Sequence, residues 1–357
     1  MSQTINRCYR LRHRPSGAIT ADDLEFGEEP VPSIGPDQAL VRTLWLSLDP
    51  ANRIWMSEIH YNMPPVPIGG VMRGFGIGEV VASQRADMNV GDLVSGITGW
   101  ADYAVADTSN LVPFAVLPMP LPAQPQSLLG ALGNSGVTAY LGVHDICRPR
   151  AGETMVVTAA AGAVGSVAGQ IGKARGARVV GTAGSAVKCR HVVRAYGFDA
   201  CINYRDTNWR DQLDAATPDG IDNIFENVGG QILGHLVSRL NVGARIALCG
   251  LIADYNSYGS PDPAPRTSID AEQLLISRAL VGSFLVLDHS DRFPEATSYL
   301  TDLKDAGKLV HDETVVNGLD RARDAFEQMF NGANTGKLVI KVAEPARMVA
   351  VQSLARR

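Results

Sequence analysis

The tightest constraint on this chain is an alternation that begins at residue 153. "ETMVVTA" (153–159), "ARVVGTA" (177–183), "DACINY" (199–204), "IDNIFENV" (221–228), "ARIALCG" (244–250) and "RALVGSFLV" (278–286) are short apolar runs. Between them lie amphipathic segments of helix length, among them Val164–Arg175, Ala186–Tyr196 and Gly230–Leu240. Strands this uniformly apolar are buried on both faces, and their alternation with helices specifies βαβ units and a parallel sheet. Six such strands complete a doubly wound sheet, which sets the fold class as α/β.

The first strand-to-helix turn of that series is unusually bare. "AAAGAVGSVAGQ", Ala159–Gln170, is almost all small residues, with glycine at 162, 165 and 169. Glycine costs a helix roughly 0.8–1 kcal/mol per position relative to alanine, so the backbone is exposed here for a reason. A glycine pattern opening a βαβ unit lets the chain approach a pyrophosphate, whose charge is met by the N–H groups and dipole of the helix start. The pattern here is Ala160-x-Gly162-x-x-Gly165, with alanine where the first glycine usually stands. It predicts a dinucleotide site; the competing reading is a tight helix–strand packing turn. NAD sites place an Asp or Glu at the end of the second strand to bond the ribose. From Thr154 to Phe198 this chain has no carboxylate, but it has Lys173, Arg175, Arg178, Lys188, Arg190 and Arg194. Cations without a competing acid favour the extra 2′-phosphate of NADP, and Lys188, one turn past "AGS", is the best placed of them.

The first 130 residues have another texture. "QALVRTLWLSL", "GIGEVVAS" and "GDLVSGI" are short runs separated by Pro, Gly and Asp turns, the pattern of a barrel or sandwich. The arginine-rich start, "MSQTINRCYRLRHRPSG", has no apolar core segment; the alternation in "RCYRLR" predicts a first strand rather than a leader. A proline-dense joint spans 112–126, a helix is expected at Leu319–Phe330, and "TGKLVIKV" is expected as a strand returning to the first domain. With 45% hydrophobic residues, 19% charged and a net charge of −5, nothing points to a nucleic-acid partner. The least polar stretch, Val156–Gly172, is shorter than a bilayer span requires. Five scattered cysteines without a Cys-x-x-Cys fit a reducing cytoplasm.

"AAAGAVGSVAGQIGKARGARVVGTAGSAVK", "GFDACINYRD", "FENVGG", "ALCGLIADYN" and "NTGKLVIKV", together with "LSLDP" and "GNSGVTAYLG", span nearly the whole chain. In these segments the sequence resembles the zinc-independent medium-chain dehydrogenase/reductases, in the branch of alkenal and prostaglandin reductases. The resemblance implies a GroES-like β-barrel catalytic domain from residues 1–130 with 311–357, and a Rossmann NADPH-binding domain at 131–310. It implies a cofactor loop at Gly162, Ala163, Val164 and Gly165, with Lys188 and Tyr204 at the 2′-phosphate. Asn227, the segment Cys249, Gly250, Leu251 to Tyr255, then Phe284, Leu285, Val286 and Asn334 would complete the NADPH site. Taken alone, Asn227 and Asn334 would read as turn asparagines beside glycine. A homodimer through the sheet edge near Val281–Phe284 is also implied.

The region where zinc relatives carry their ligands is "IGGVMRGFGIGEV", without His or Cys, and the seven histidines form no cluster. A catalytic zinc needs three protein ligands, so none is expected. An α,β-unsaturated carbonyl suits such a site: hydride adds at the β-carbon and the charge spreads into an enolate that hydrogen-bond donors can stabilise. The expected function is NADPH-dependent reduction of that C=C bond in aldehydes or ketones. The rivals are an NADPH quinone reductase and a protein that binds NADPH without turnover. Tyr255 matches the family's proton donor; otherwise it is a loop tyrosine lining the pocket or touching cofactor ribose, with water as the acid. Where the family often has "DPYMR", this chain has "DPANR", placing Ala51 where a ring would stand. Tyr61 and Trp100 are candidate pocket walls or barrel packing, and Arg53 is expected as an internal salt-bridge partner.

Overall fold

The computed structural model describes residues 5–60, 63–260 and 266–345. Strands β1 (Ile5–Leu11) and β2 (Leu24–Pro30) form an antiparallel pair, so the alternating "RCYRLR" segment is a strand. β3 (Ala39–Ser47), β4 (Phe75–Ser83), β5 (Leu93–Ile97), β6 (Tyr103–Ala106) and β7 (Ala115–Val116) follow, antiparallel to their neighbours. Leu46 of β3 meets Leu48, Trp55, Trp100 and Phe326 from the flanking loops and helices in one core.

The alternating region forms six parallel strands: β8 (Thr154–Val157), β9 (Arg178–Ala183), β10 (Ala200–Asn203), β11 (Ile221–Glu226), β12 (Leu240–Leu248) and β13 (Leu280–Ser283). Their order, β10-β9-β8-β11-β12-β13, is that of a Rossmann sheet. Both faces are covered. Met155, Val157 and Val179 pack with Val167 and Ile171 of helix Ala163–Ala174 on one side. Val156, Val180, Ile224 and Ile246 pack with Leu213, Leu233 and Leu236 on the other. This two-sided burial is why the strands read as continuous apolar runs.

Past residue 310 the chain goes back. β14 (Glu313–Asn317) and β15 (Lys337–Lys341) pair in parallel, and β15 lies antiparallel to β3, so one sheet runs β14-β15-β3-β4-β5-β7 with β6 also on β3. Helix Ala322–Phe330, preceded by a 3₁₀ turn at Leu319–Arg321, buries Ala322, Ala325, Phe326 and Met329, with Phe330 half-buried at its end. Among the described residues no helix is long and apolar enough to cross a membrane.

Candidate functional site: a cleft between the two domains

The carboxyl ends of the parallel strands face the first domain across a cleft of about 360 Å³. At its centre is the bare turn. β8 ends at Val157, and Ala159 takes a left-handed φ of +49°. Gly162 N–H then donates to Ala159 O at 2.8 Å, and the helix begins at Ala163 with no side chain capping it. The first-turn N–H groups are therefore open to the cleft. A Cβ on Gly165 would sit 2.4 Å from Ala159 O, so only glycine lets the helix start this close to the strand end. Alanine replaces the usual first glycine because Ala160, fully buried, points its methyl at the bare Gly181 of β9. A dinucleotide pyrophosphate fits this cradle.

At one end of the cleft lie Lys188 and Tyr204. Ser185 caps helix Ala186–Tyr196 by accepting Lys188 N–H at 3.2 Å, which aims the lysine at the cleft. Lys188 Nζ donates to Gly332 O at 2.8 Å and to Asn334 O, and burial, then the charge of Arg205, hold its pKa below the usual lysine value. Such an ammonium gains from a dianion. Tyr204 Oη would lie 2.9 Å from a Cβ on Gly184, so the backbone is bare here too.

In mid-cleft, Asn227 N–H donates to Thr158 Oγ1 at 2.7 Å and its amide Nδ2 to Thr158 O at 2.8 Å, while Asn334 Nδ2 donates to Gly336 O at 3.0 Å. Both asparagines thus shape turns and also line the cleft. Beneath Asn227 sits Glu226, fully buried. Its Oε1 accepts from Thr158 Oγ1 at 3.0 Å, from Gly229 N at 2.7 Å and from Val228 N, and its Oε2 has no partner among the described residues. Burial pushes the Glu226 carboxyl up to about 6, against the pull of those donors. A carboxyl whose folded pKa is raised contributes stability below its unfolded pKa and loses it as pH rises through the folded value. Glu226→Gln, which keeps an acceptor but carries no charge, is therefore expected to match the parent in thermal unfolding near pH 4. It should exceed the parent by about 2 kcal/mol above pH 6. Equal stability of the two at both pH values would refute this.

Burial and the Glu226 carboxylate push the neighbouring Cys249 thiol up to about 12, so it stays protonated where it lines the cleft. Tyr255 ends the short helix Ile252–Tyr255, is nearly buried, and accepts Leu251 N–H at its hydroxyl at 3.2 Å. Of the expected cofactor residues, Gly162, Ala163, Val164, Gly165, Lys188, Tyr204, Asn227, Cys249, Gly250, Tyr255, Phe284, Leu285, Val286 and Asn334 all line the cleft. Leu251 does not. Its side chain packs with the apolar layer beneath the sheet, close to Gly229.

The far end of the cleft is apolar, walled by Leu48, Ala51, Ile54, Trp55, Phe75 and Phe330. Trp100 is not there. It is fully buried under the first domain, edge-on to Tyr9 at 5.8 Å and to Phe326 at 5.5 Å, so it is barrel packing. Tyr61 lies outside the described residues. Arg53 also departs from expectation: it is fully buried but makes no ion pair among the described residues. Its Nη2 donates to Pro15 O at 2.9 Å, Gly17 O at 2.9 Å and Tyr258 O at 3.0 Å. Carbonyls neutralise a guanidinium less than a carboxylate does, and burial lowers its pKa to about 10.

Several lining residues were not foreseen. Asn134, Ser135 and Thr138 begin helix Asn134–Leu141, and Met329 and Phe330 end helix Ala322–Phe330. Asp49 and Lys337 form an ion pair in the cleft wall. The Lys337 side chain is 3% exposed and its Nζ also donates to Leu48 O at 3.1 Å, while Asp49 accepts from Ser47 Oγ as well. Next to Lys337, Gly336 N–H donates to Ala161 O at 2.8 Å, a direct link from the returning strand to the cofactor turn. Among the described residues no three His, Cys, Asp or Glu side chains are grouped so as to hold a metal ion.

Two family models match: an N-terminal domain of oxidoreductase over residues 7–114 and a zinc-binding dehydrogenase over residues 163–302. The chain is 40% identical over 339 residues to the NADPH-dependent curcumin reductase of Escherichia coli, covering 95% of this chain and 97% of that one. It is 36% identical over 315 residues to the NADP(+)-dependent 2-alkenal reductase of Nicotiana tabacum, covering 87% and 88%. CurA from Vibrio vulnificus, crystallised in complex with NADPH, superimposes with a TM-score of 0.89 at 39% identity, covering 95% of this chain and all of the other. With this architecture, these motifs and relatives matched over most of their length, the chain belongs to the medium-chain dehydrogenase/reductases, in the zinc-independent branch that holds the curcumin and 2-alkenal reductases.

Proposed function

We propose that this protein is an NADPH-dependent, metal-free reductase of the C=C bond of α,β-unsaturated aldehydes or ketones. The observation that carries the reading is the continuity of one cleft. A bare phosphate cradle at Gly162–Gly165 and a cation at Lys188 open into a recess walled by Ala51, Ile54, Trp55, Phe75 and Phe330. The names and the NADPH complex of the relatives support it. In this reading residues 1–130 and 311–357 form the catalytic unit and residues 131–310 the cofactor unit.

When bound, NADPH supplies the hydride, which goes to the β-carbon of the enone. The chain's part is to orient the acceptor against the apolar wall, to exclude water, and to meet the charge that collects on the enolate. Tyr255 is the side chain assigned to that charge: its phenol O–H can donate a hydrogen bond to the developing oxyanion. Tyr255→Phe is expected to lower kcat/KM for an aryl enone about tenfold to a hundredfold. Full activity in this variant would assign the proton to water.

Loss of nicotinamide absorbance tests the whole reading with an alkenal, an aryl enone, a quinone and a saturated aldehyde, each with NADPH and with NADH. Turnover of the enal or enone with NADPH preferred supports it. Turnover of the quinone alone would make the protein a quinone reductase, and tight NADPH binding without turnover a binding protein.

The reading includes a homodimer joined at β13, one of the two edge strands of the parallel sheet. Beside it Val242, Leu275, Ile276 and Leu280 leave apolar side chains in solvent. A sedimentation mass of one chain would remove that part. The five unpaired cysteines support a cytoplasmic setting.

A further inference from the structure

The phosphate end of the cleft carries a second cation. Arg205 follows Tyr204 just past β10, its guanidinium 6.0 Å from the Tyr204 ring centre, and its Nη2 donates to Asn331 O at 3.2 Å. Lys188 reaches the same turn through Gly332 O and Asn334 O. The two cations converge on one glycine: a Cβ on Gly332 would lie 3.9 Å from Lys188 Nζ and 4.0 Å from Arg205 Nη2. A Cβ on Gly184 would lie 3.5 Å from Arg205 Nε, so the guanidinium also runs past bare backbone there.

Like charges this close repel unless something answers them. Among the described residues only carbonyls do, at the C-terminal end of helix Ala322–Phe330, where the partial charge is negative. The adjacent acid, Asp206, is taken up by Asn203 Nδ2 at 2.6 Å and Gln212 Nε2 at 3.5 Å. Two cations answered only by neutral oxygens suit an incoming dianion with several oxygens. A planar guanidinium adds a forked contact that an ammonium cannot make.

We propose that Arg205 is a specificity-determining residue for the cofactor: with Lys188 it brackets the adenosine 2′-phosphate, each cation exchanging a carbonyl of the Asn331–Asn334 turn for a phosphate oxygen. This rests on the reading of the cleft as an NADPH site. It also places the phosphate at the seam between the two domains, since the turn belongs to the returning segment and both cations to the parallel-sheet domain.

The test is calorimetric titration of the intact protein with 2′,5′-ADP and with 5′-AMP, nucleotides that differ by the phosphate in question. The parent should bind 2′,5′-ADP far more tightly. R205Q should lose about tenfold to a hundredfold of that affinity while 5′-AMP binding stays put, and R205K should recover part of it. R205Q binding 2′,5′-ADP as well as the parent does would overturn the proposal and leave the NADPH reading standing. Equal weakening of both nucleotides would overturn it too, by making Arg205 a structural residue. A parent that does not distinguish the two nucleotides would overturn both the proposal and the NADPH preference.

Discussion

Asp49→Asn is expected to cost about 3–5 kcal/mol of folding free energy, the loss typical when one partner of a buried ion pair is removed. The Lys337 side chain is 3% exposed and that of Asp49 25%, so the aspartate change strands the more buried charge. Lys337→Met should cost less, since Asp49 keeps some solvent and its bond from Ser47 Oγ. The double variant, in which neither charge remains, should recover much of the loss, because a buried pair is often replaceable by apolar groups of similar volume. Denaturant midpoints at constant m-value measure all three. Additive effects, or a single-variant cost below about 1 kcal/mol, would mean that the pair is solvated and does not hold the wall. The stake is functional as well as structural, because the pair joins the end of β3 to the start of β15 beside the cofactor turn.

Gly165→Ala is expected to weaken NADPH binding about a hundredfold or more. The new methyl would meet Ala159 O at 2.4 Å, and the Ala159 carbonyl carbon and Thr158 O at 3.0 Å, all backbone atoms that cannot turn aside. The helix start must move, at about 1–3 kcal/mol in stability. In the proposed reading the binding loss is larger, because the open N–H groups of that first turn would meet the pyrophosphate. Gly234→Ala is the control: nothing lies within 4 Å of its Cβ position, so helix Gly230–Val237 should gain up to about 1 kcal/mol with binding unchanged. Calorimetry with NADPH separates them; comparable affinities for the Gly165 variant and its parent would refute the cradle.

The parallel sheet was legible because burial on both faces leaves an unbroken apolar trace. Helix Ala186–Tyr196 was legible to the residue because local chemistry sets both its ends, Ser185 as N-cap and Gly197 with φ +70° at the C-cap. β14 was not, since its residues are only half buried and its identity comes from pairing with β15. Lys188 stood out through an absence of acids around it, a signal that sequence carries directly. For Trp100 the sequence left pocket wall and barrel packing open, because an aromatic beside a loop does not reveal which way it faces. Among the described residues Arg53 meets carbonyls rather than the expected acid, and carbonyl partners have no sequence signature. The Asp49–Lys337 pair was invisible for a simpler reason: 288 positions separate its members.

The bond from Gly336 to Ala161 has a consequence for synthesis. A chain leaves the ribosome from its amino terminus, and domains fold as units in that order. Here the β3 edge that receives β15 has to wait through the whole of the parallel-sheet domain before its partner is made. The Rossmann half can be complete while the first half still lacks its last strand, so the cleft is closed only when the end of the chain arrives. A truncated or stalled product would carry a folded nucleotide domain and an unfinished substrate wall, and quality control would meet it as an exposed sheet edge.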